Sequence, residues 1–212
     1  MNKSVLVASA ALVVSSSTVT LAQSPKAATY ITDEQVKAIN AGPGVDRQIV
    51  SVDIGKLNEA VGIIHRGPTT AAMGGGGAGA GGAAAAPAEP CGERSSTPPA
   101  GAPTGISHDH QTETYIIVSG GGTLVTGGHI LNGRKSAPDG PVTKILNGPS
   151  CSGIIDGADV VKKGVKTGDI IIIPAGVPHG WIDITDHVDY LSVRPDPDRV
   201  LPAGYVNPAI KK

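Results

Sequence analysis

From Ile106 onward the apolar residues of this chain come only in short runs, each closed by glycine, proline or aspartate. Thr114 to Val118 and Thr123 to Thr126 flank the Ser119-Gly120-Gly121-Gly122 stretch, and Val142 to Leu146, Ile170 to Ile173, Trp181 to Ile184 and Val188 to Val193 follow. Runs this short, broken by turn residues, suit strands. No helical pattern of crossover length alternates with them, so a parallel α/β sheet is not expected and a sandwich or barrel is. Composition agrees. The chain has no Phe, one Trp and four Tyr, so its core must be built from Ile, Val, Leu and Ala, whose β-branched members favour pleated sheet.

The first residues read differently. Lys3 precedes the apolar stretch Val5 to Val14, and Thr20 and Ala22 supply small residues just before Gln23. That order is the layout of a secretory signal peptide over residues 1–22, too short to span a bilayer. Export to the periplasm or the medium is therefore expected, with no membrane span after processing. In an oxidising compartment two cysteines, Cys91 and Cys151, are expected to form a disulfide. A net charge of −1 gives no electrostatic case for nucleic acid as a partner.

Residues 23–44 form an N-terminal segment with one short helix. Thr32 is its cap, with Gln35 three residues on, and Gly42-Pro43-Gly44 ends it. Two strands follow, Gln48 to Ile54 and Val61 to Arg66. Ala71 to Pro90 is mostly Gly and Ala. It has little to bury and much entropy to lose, so it reads as a mobile loop inside a single domain over 45–200. No Gly-Lys-Ser/Thr follows its glycines, which excludes a phosphate loop. Residues 201–212 are a tail.

Two stretches carry the chemistry. In His108-Asp109-His110-Gln111-Thr112-Glu113 the histidines are two apart and share one face of a strand. Glu113 has the opposite parity, and a turn or bulge between Gln111 and Thr112 would bring it round. Glu113, Tyr115 and Ile117 would then face inward together. In the second stretch, Gly168-Asp169 and Pro174-Ala175-Gly176 bracket the run Ile170 to Ile173 and deliver His179 back toward the sheet. The four isoleucines suggest a strand buried on both sides or one at a subunit contact.

These details resemble the two motifs of the cupin superfamily, Gly-x5-His-x-His-x3,4-Glu-x6-Gly and Gly-x5-Pro-x-Gly-x2-His-x3-Asn. The second fits at Gly168, Pro174, Gly176 and His179, with Asp183 in place of Asn. The first fits at His108, His110, Glu113 and Gly120; Ala102 replaces its leading Gly, and only two residues separate His110 from Glu113. The resemblance covers roughly residues 101–195 and implies an all-β, antiparallel jelly-roll barrel. It also implies one divalent metal ion held by His108, His110, Glu113 and His179. A nitrogen and oxygen set without thiolate suits Fe, Mn, Ni, Co or Zn and leaves two octahedral positions open.

Such a site serves several chemistries, and the fold does not choose among them. The first expectation is a dioxygenase-type oxidoreductase acting on a small organic molecule, with Glu113 as general base, Tyr115 as hydrogen-bond donor and Arg194 pairing with a substrate carboxylate. The alternatives are an exported cupin that binds a ligand or a structural metal without turnover, and a metal-assisted isomerase, decarboxylase or lyase. A homodimer through an edge strand is expected on the same resemblance.

Overall fold

The structure, a computed structural model, describes residues 27–69 and 88–210. The signal peptide and most of the Gly/Ala-rich loop expected from the sequence lie outside them. Helix α1 (Asp33–Asn40) begins as the sequence predicts. Thr32 Oγ1 accepts the Gln35 N–H at 3.3 Å, and Gln35 Oε1 accepts the Thr32 N–H at 3.0 Å. This reciprocal cap satisfies two otherwise unpaired donors, and Asp33 and Glu34 sit at the positive end of the helix. Ile39 anchors the helix on the outside of the barrel against Ile49, Val50 and Ile63.

Twelve strands follow, interrupted by one helical turn: β1 (Asp46–Asp53), β2 (Asn58–Arg66), β3 (Pro90–Cys91), β4 (Thr104–His108), β5 (Glu113–Thr126), β6 (His129–Lys135), a π-helical turn (Val142–Leu146), β7 (Ser150–Asp156), β8 (Val161–Lys166), β9 (Ile170–Ile173), β10 (His179–Ile182), β11 (Val188–Asp196) and β12 (Tyr205–Val206). The pairing runs β12-β1-β2-β11-β5-β10-β4-β7-β6-β3, with β8 and β9 added to β5. Every strand pair is antiparallel. This is the all-β jelly roll expected from the sequence.

Three local readings change. Ser119–Gly122 does not turn the chain back, because β5 runs through it as one 14-residue strand. The first half of β5 pairs with β9 and β11, the second with β8 and β10, so the glycines are where it crosses from one sheet to the other. Gly120 has φ +68°, and a Cβ there would lie 2.0 Å from the His187 carbonyl oxygen. Only glycine permits that approach.

Val142 to Leu146 is a π turn rather than a strand. Pro141 enters it with helical backbone angles, and the Asn147 N–H bonds the Val142 carbonyl at 2.9 Å. Of the two readings of the isoleucine run, burial on both sides within the chain falls, because the run alternates. Ile173 is 2% exposed, while Ile170 and Ile172, at 65% and 69%, face outward from a strand that pairs only with β5.

Within the barrel the few aromatic residues are concentrated. Tyr115 and Tyr190 lie 4.3 Å apart between ring centres, and Trp181 lies 5.4 Å from Tyr190. Their polar ends are paired: Trp181 Nε1 and Arg66 Nε both donate to the Tyr190 hydroxyl. At the opposite edge Cys91 and Cys151 are joined as expected, with 6.0 Å between their Cα atoms. The bridge links β3 to β7 over β6, where a Cβ on Gly133 would sit 2.7 Å from Cys151 Sγ.

Candidate metal centre

Three strand ends converge on one point. His108 closes β4 opposite Ser150, Glu113 opens β5 opposite Ile173, and His179 opens β10 between Ile106 and Thr126. The turn of the second motif ties them together. Gly176, at φ +80°, donates its N–H to the His108 carbonyl at 2.7 Å. Gly105 lets β10 come close to β4, for a Cβ there would meet the His179 carbonyl oxygen at 2.2 Å.

His108, Glu113 and His179 are 2%, 2% and 3% exposed, and one ligand atom of each lies within 4.8 Å of the others. The Nε2 atoms of both rings are 3.1 Å from Glu113 Oε2. The opposite ring atoms fix where the protons are. His179 Nδ1 lies 3.0 Å from the Val177 carbonyl, which only accepts. His108 Nδ1 lies 2.9 Å from Ser150 Oγ, whose own proton goes to the Gly148 carbonyl at 2.9 Å. Both rings therefore carry hydrogen on Nδ1, and in the neutral form each presents a lone pair at Nε2. Burial pushes the His108 ring toward that neutral form, more than the adjacent Glu113 opposes it.

With both rings neutral, two nitrogen lone pairs face a carboxylate oxygen, an arrangement that repels itself unless a proton or a metal cation lies between them. Among the described residues His179 Nε2 finds no hydrogen-bond donor, only the Glu113 oxygen. A divalent ion fits this donor set of two imidazoles and one carboxylate, and the Nδ1 bonds are those that orient metal-binding histidines elsewhere.

Glu113 is held on every side. Oε1 accepts from Ser192 Oγ (2.7 Å), Arg194 Nε (2.9 Å) and Asn147 Nδ2 (3.1 Å), and Oε2 accepts from the Tyr115 hydroxyl (2.9 Å). Burial alone would push its carboxyl up, but the carboxyl is held well below the usual range, and with the His108 ring neutral it is the buried Arg194 guanidinium that supplies the opposing charge. Burial, followed by the charge of Glu113, pushes the Tyr115 phenol well above its ordinary value, so it stays a donor.

Two expected roles are corrected. His110 is not at the centre: its side chain is 46% exposed, with Nδ1 2.7 Å from Asp198. The motif's own spacing explains this. His108-x4-Glu113-x6-Gly120 fits when His108 fills the place of the second histidine, which puts Ile106 in the place of the first. The short gap was an offset of two residues, and no bulge is needed to bring Glu113 round.

Arg194, expected to meet a substrate carboxylate, is fully buried and already committed. Besides Glu113 and Ser192 it binds Asp46 (2.5 Å), Gln48 (3.0 Å) and the Leu146 carbonyl (3.1 Å). Its role is to hold the carboxylate. Tyr115 is at the centre, as expected.

Sequence reasoning missed Asn147, Ser150 and Ser192. Ser192 was legible, since β11 alternates and Val188, Tyr190, Ser192, Arg194 and Asp196 are its inward set. Asn147, in Asn-Gly-Pro after an apolar run, reads as an ordinary turn and carried no signal. Asp183, at the motif's Asn position, has φ +54°. That place rewards a residue tolerant of the left-handed region rather than a ligand.

No protein-family model and no curated protein matches the chain. Solved structures do resemble it. A Klebsiella pneumoniae protein with a double-stranded β-helix domain is 14% identical, with a TM-score of 0.39 over 82% of this chain and 93% of its own. A Bacillus halodurans protein is 12% identical, with a TM-score of 0.40 over 87% and 92%. Oxalate oxidase in complex with glycolate is 11% identical, with a TM-score of 0.34 over 74% of this chain and 54% of its own. The strand order stands on its own beside these likenesses: the chain has an antiparallel jelly-roll fold, with a buried His108–Glu113–His179 group able to hold a metal ion.

Proposed function

We propose that the protein is a metal-dependent oxidoreductase of dioxygenase type, acting on a small organic substrate at the His108–Glu113–His179 centre. The observation that carries this reading is the pair of Nε2 lone pairs converging on one carboxylate oxygen, 3.1 Å from each. A divalent ion on two histidines and one carboxylate supplies open coordination positions and, as Fe(II), the redox chemistry of non-haem oxygenases.

The chain's own residues do the rest. Ser150 and the Val177 carbonyl keep both Nδ1 atoms protonated and the rings oriented. Arg194 and Ser192 keep Glu113 ionised in one rotamer, and Tyr115 holds its other oxygen. With both oxygens taken, Glu113 serves as a ligand rather than as the mobile base first expected, which weighs against isomerase or lyase chemistry resting on it. Export fits the Cys91–Cys151 bridge. Among the described residues no helix is long and apolar enough to cross a membrane.

The second reading, binding without turnover, is favoured by the 2–3% exposure of all three ligand residues. Metal content and oxygen uptake on a panel of diols, enols and keto acids separate the two. Uptake by the Fe(II)-loaded protein with one of these substrates supports the oxygenase. An iron-loaded protein that consumes no oxygen with any of them supports binding alone, and failure to take up Fe(II), Mn(II), Co(II), Ni(II) or Zn(II) removes the centre.

A further inference from the structure

The geometry points to Asn147 as a fourth protein ligand of this centre, through its side-chain carbonyl oxygen. The inference rests on the metal-binding reading above. The centre lacks the histidine that the motif would place at 106, where this chain has Ile106. Asn147 comes to the same point from a different part of the fold, between the π turn and β7. It is 6% exposed, and its amide nitrogen lies 3.2 Å from His108 Nε2 and 3.1 Å from Glu113 Oε1. It already touches one of the other ligand atoms and the second oxygen of the carboxylate.

Both contacts change sense when a cation binds. The N–H of Asn147 now points at the lone pair of His108 Nε2, which a metal ion would take. The donor would then lose its acceptor and direct its partial positive charge at the cation. Turning the amide over exchanges nitrogen for oxygen in almost the same volume. Glu113 Oε1 would then face an oxygen in place of a donor, a repulsion offset by the cation itself and by Ser192 and Arg194, which still donate to it at 2.7 and 2.9 Å.

The backbone of Asn147 is meanwhile fixed. Its N–H bonds the Val142 carbonyl, and Arg194 Nη1 holds the preceding carbonyl, that of Leu146, at 3.1 Å. One guanidinium therefore positions both the carboxylate and the amide. The resulting set of two nitrogens and two oxygens leaves two octahedral positions free and replaces an imidazole with a neutral, harder donor.

Co(II) alone is the probe, bound to the intact protein and followed by chelator competition and by its visible spectrum. Asn147→Ala is expected to weaken Co(II) binding by at least about tenfold, the loss typical of a group that supports a metal site, and to alter the visible bands. Asn147→Asp, which restores an oxygen in the same place, is expected to recover most of the affinity. Circular dichroism of the metal-free variants establishes that both fold, and if Asn147→Ala does not, the Asp variant's affinity and spectrum decide alone. An unchanged affinity and spectrum in Asn147→Ala overturns the inference. If His108→Ala abolishes binding in that same experiment, the metal centre stands and only the role of Asn147 falls. If His108→Ala also leaves binding unchanged, both fall.

Discussion

Arg194 is the residue on which most of the buried polar structure depends. Its guanidinium meets Glu113, Asp46, Gln48, Ser192 and a main-chain carbonyl with no exposure to water. Burial would favour loss of its proton, but the two carboxylates more than reverse that and push its pKa up. Deleting one side of such a network leaves carboxylates desolvated and uncompensated. Arg194→Met should lower stability by about 3–5 kcal/mol, read by urea unfolding, and a loss below about 1 kcal/mol would contradict the network's importance.

Gln111 poses the opposite case. It is 1% exposed, and among the described residues neither amide atom has a hydrogen-bond partner. Gln111→Met should therefore raise stability by about 1–3 kcal/mol, the cost of an unsatisfied buried polar group, in the same titration. Glu59 gives the pH test. One of its oxygens is buried without a partner, and burial raises its pKa. Below the ordinary carboxylate range it is protonated whether the chain is folded or not. As pH rises through its raised value, ionisation costs more in the folded state, and stability is lost. Glu59→Gln should match the natural protein at low pH and gain over it as pH climbs through that window. Equal melting temperatures at every pH would show that water reaches the group.

At the scale of elements, glycines decide what crosses what. Gly133 lies beneath the disulfide: a Cβ there would be 2.7 Å from Cys151 Sγ and 2.9 Å from the Cys91 carbonyl oxygen. Gly133→Ala should hinder closure of the bridge and leave titratable thiols. A chain-entropy estimate for the 60-residue separation gives the bridge about 4 kcal/mol, so the variant's urea midpoint should fall toward that of a Cys91→Ala, Cys151→Ala double variant. Full oxidation with an unchanged midpoint would show that β6 can shift aside.

Elements also mark where sequence reading stops. The cap at Thr32, the strand Ile170 to Ile173 and the turn at Gly176 are local chemistry, and each was legible. The crossing of β5 at Gly120 was not, since glycines that bend a continuous strand and glycines that reverse the chain look alike without knowing what packs beside them. Val142 to Leu146 has strand composition but no strand beside it, and a five-residue apolar run does not distinguish the two outcomes. The centre shows the same division. His179 and Glu113 sit in rigid frames that their neighbours announce, whereas Ser150 arrives through long-range pairing of β4 with β7 and Asn147 from the end of the π turn before it.

For the molecule as a whole, the metal centre is also a clamp. It joins β4 and β5, which follow one another directly, to β10, which the chain reaches only after four further strands and the helical turn. A cation that binds only the folded form adds RT ln(1 + [L]/Kd), about 2.7 kcal/mol when the free ion is a hundredfold above Kd. In a domain of this size that raises Tm by roughly 5–10 °C. Adding a chelator should reverse the shift. His179→Ala should abolish it, because the orphaned Nε2 is lost, while His110→Ala should leave it intact, its ring being half exposed against Asp198. This pair of variants tests the assignment of His108 to the second histidine place of the motif. Were His110→Ala to abolish the shift as His179→Ala does, the chain between His108 and Glu113 would have to turn His110 inward when metal binds, giving up its Asp198 contact, and the three-histidine centre first expected would be restored.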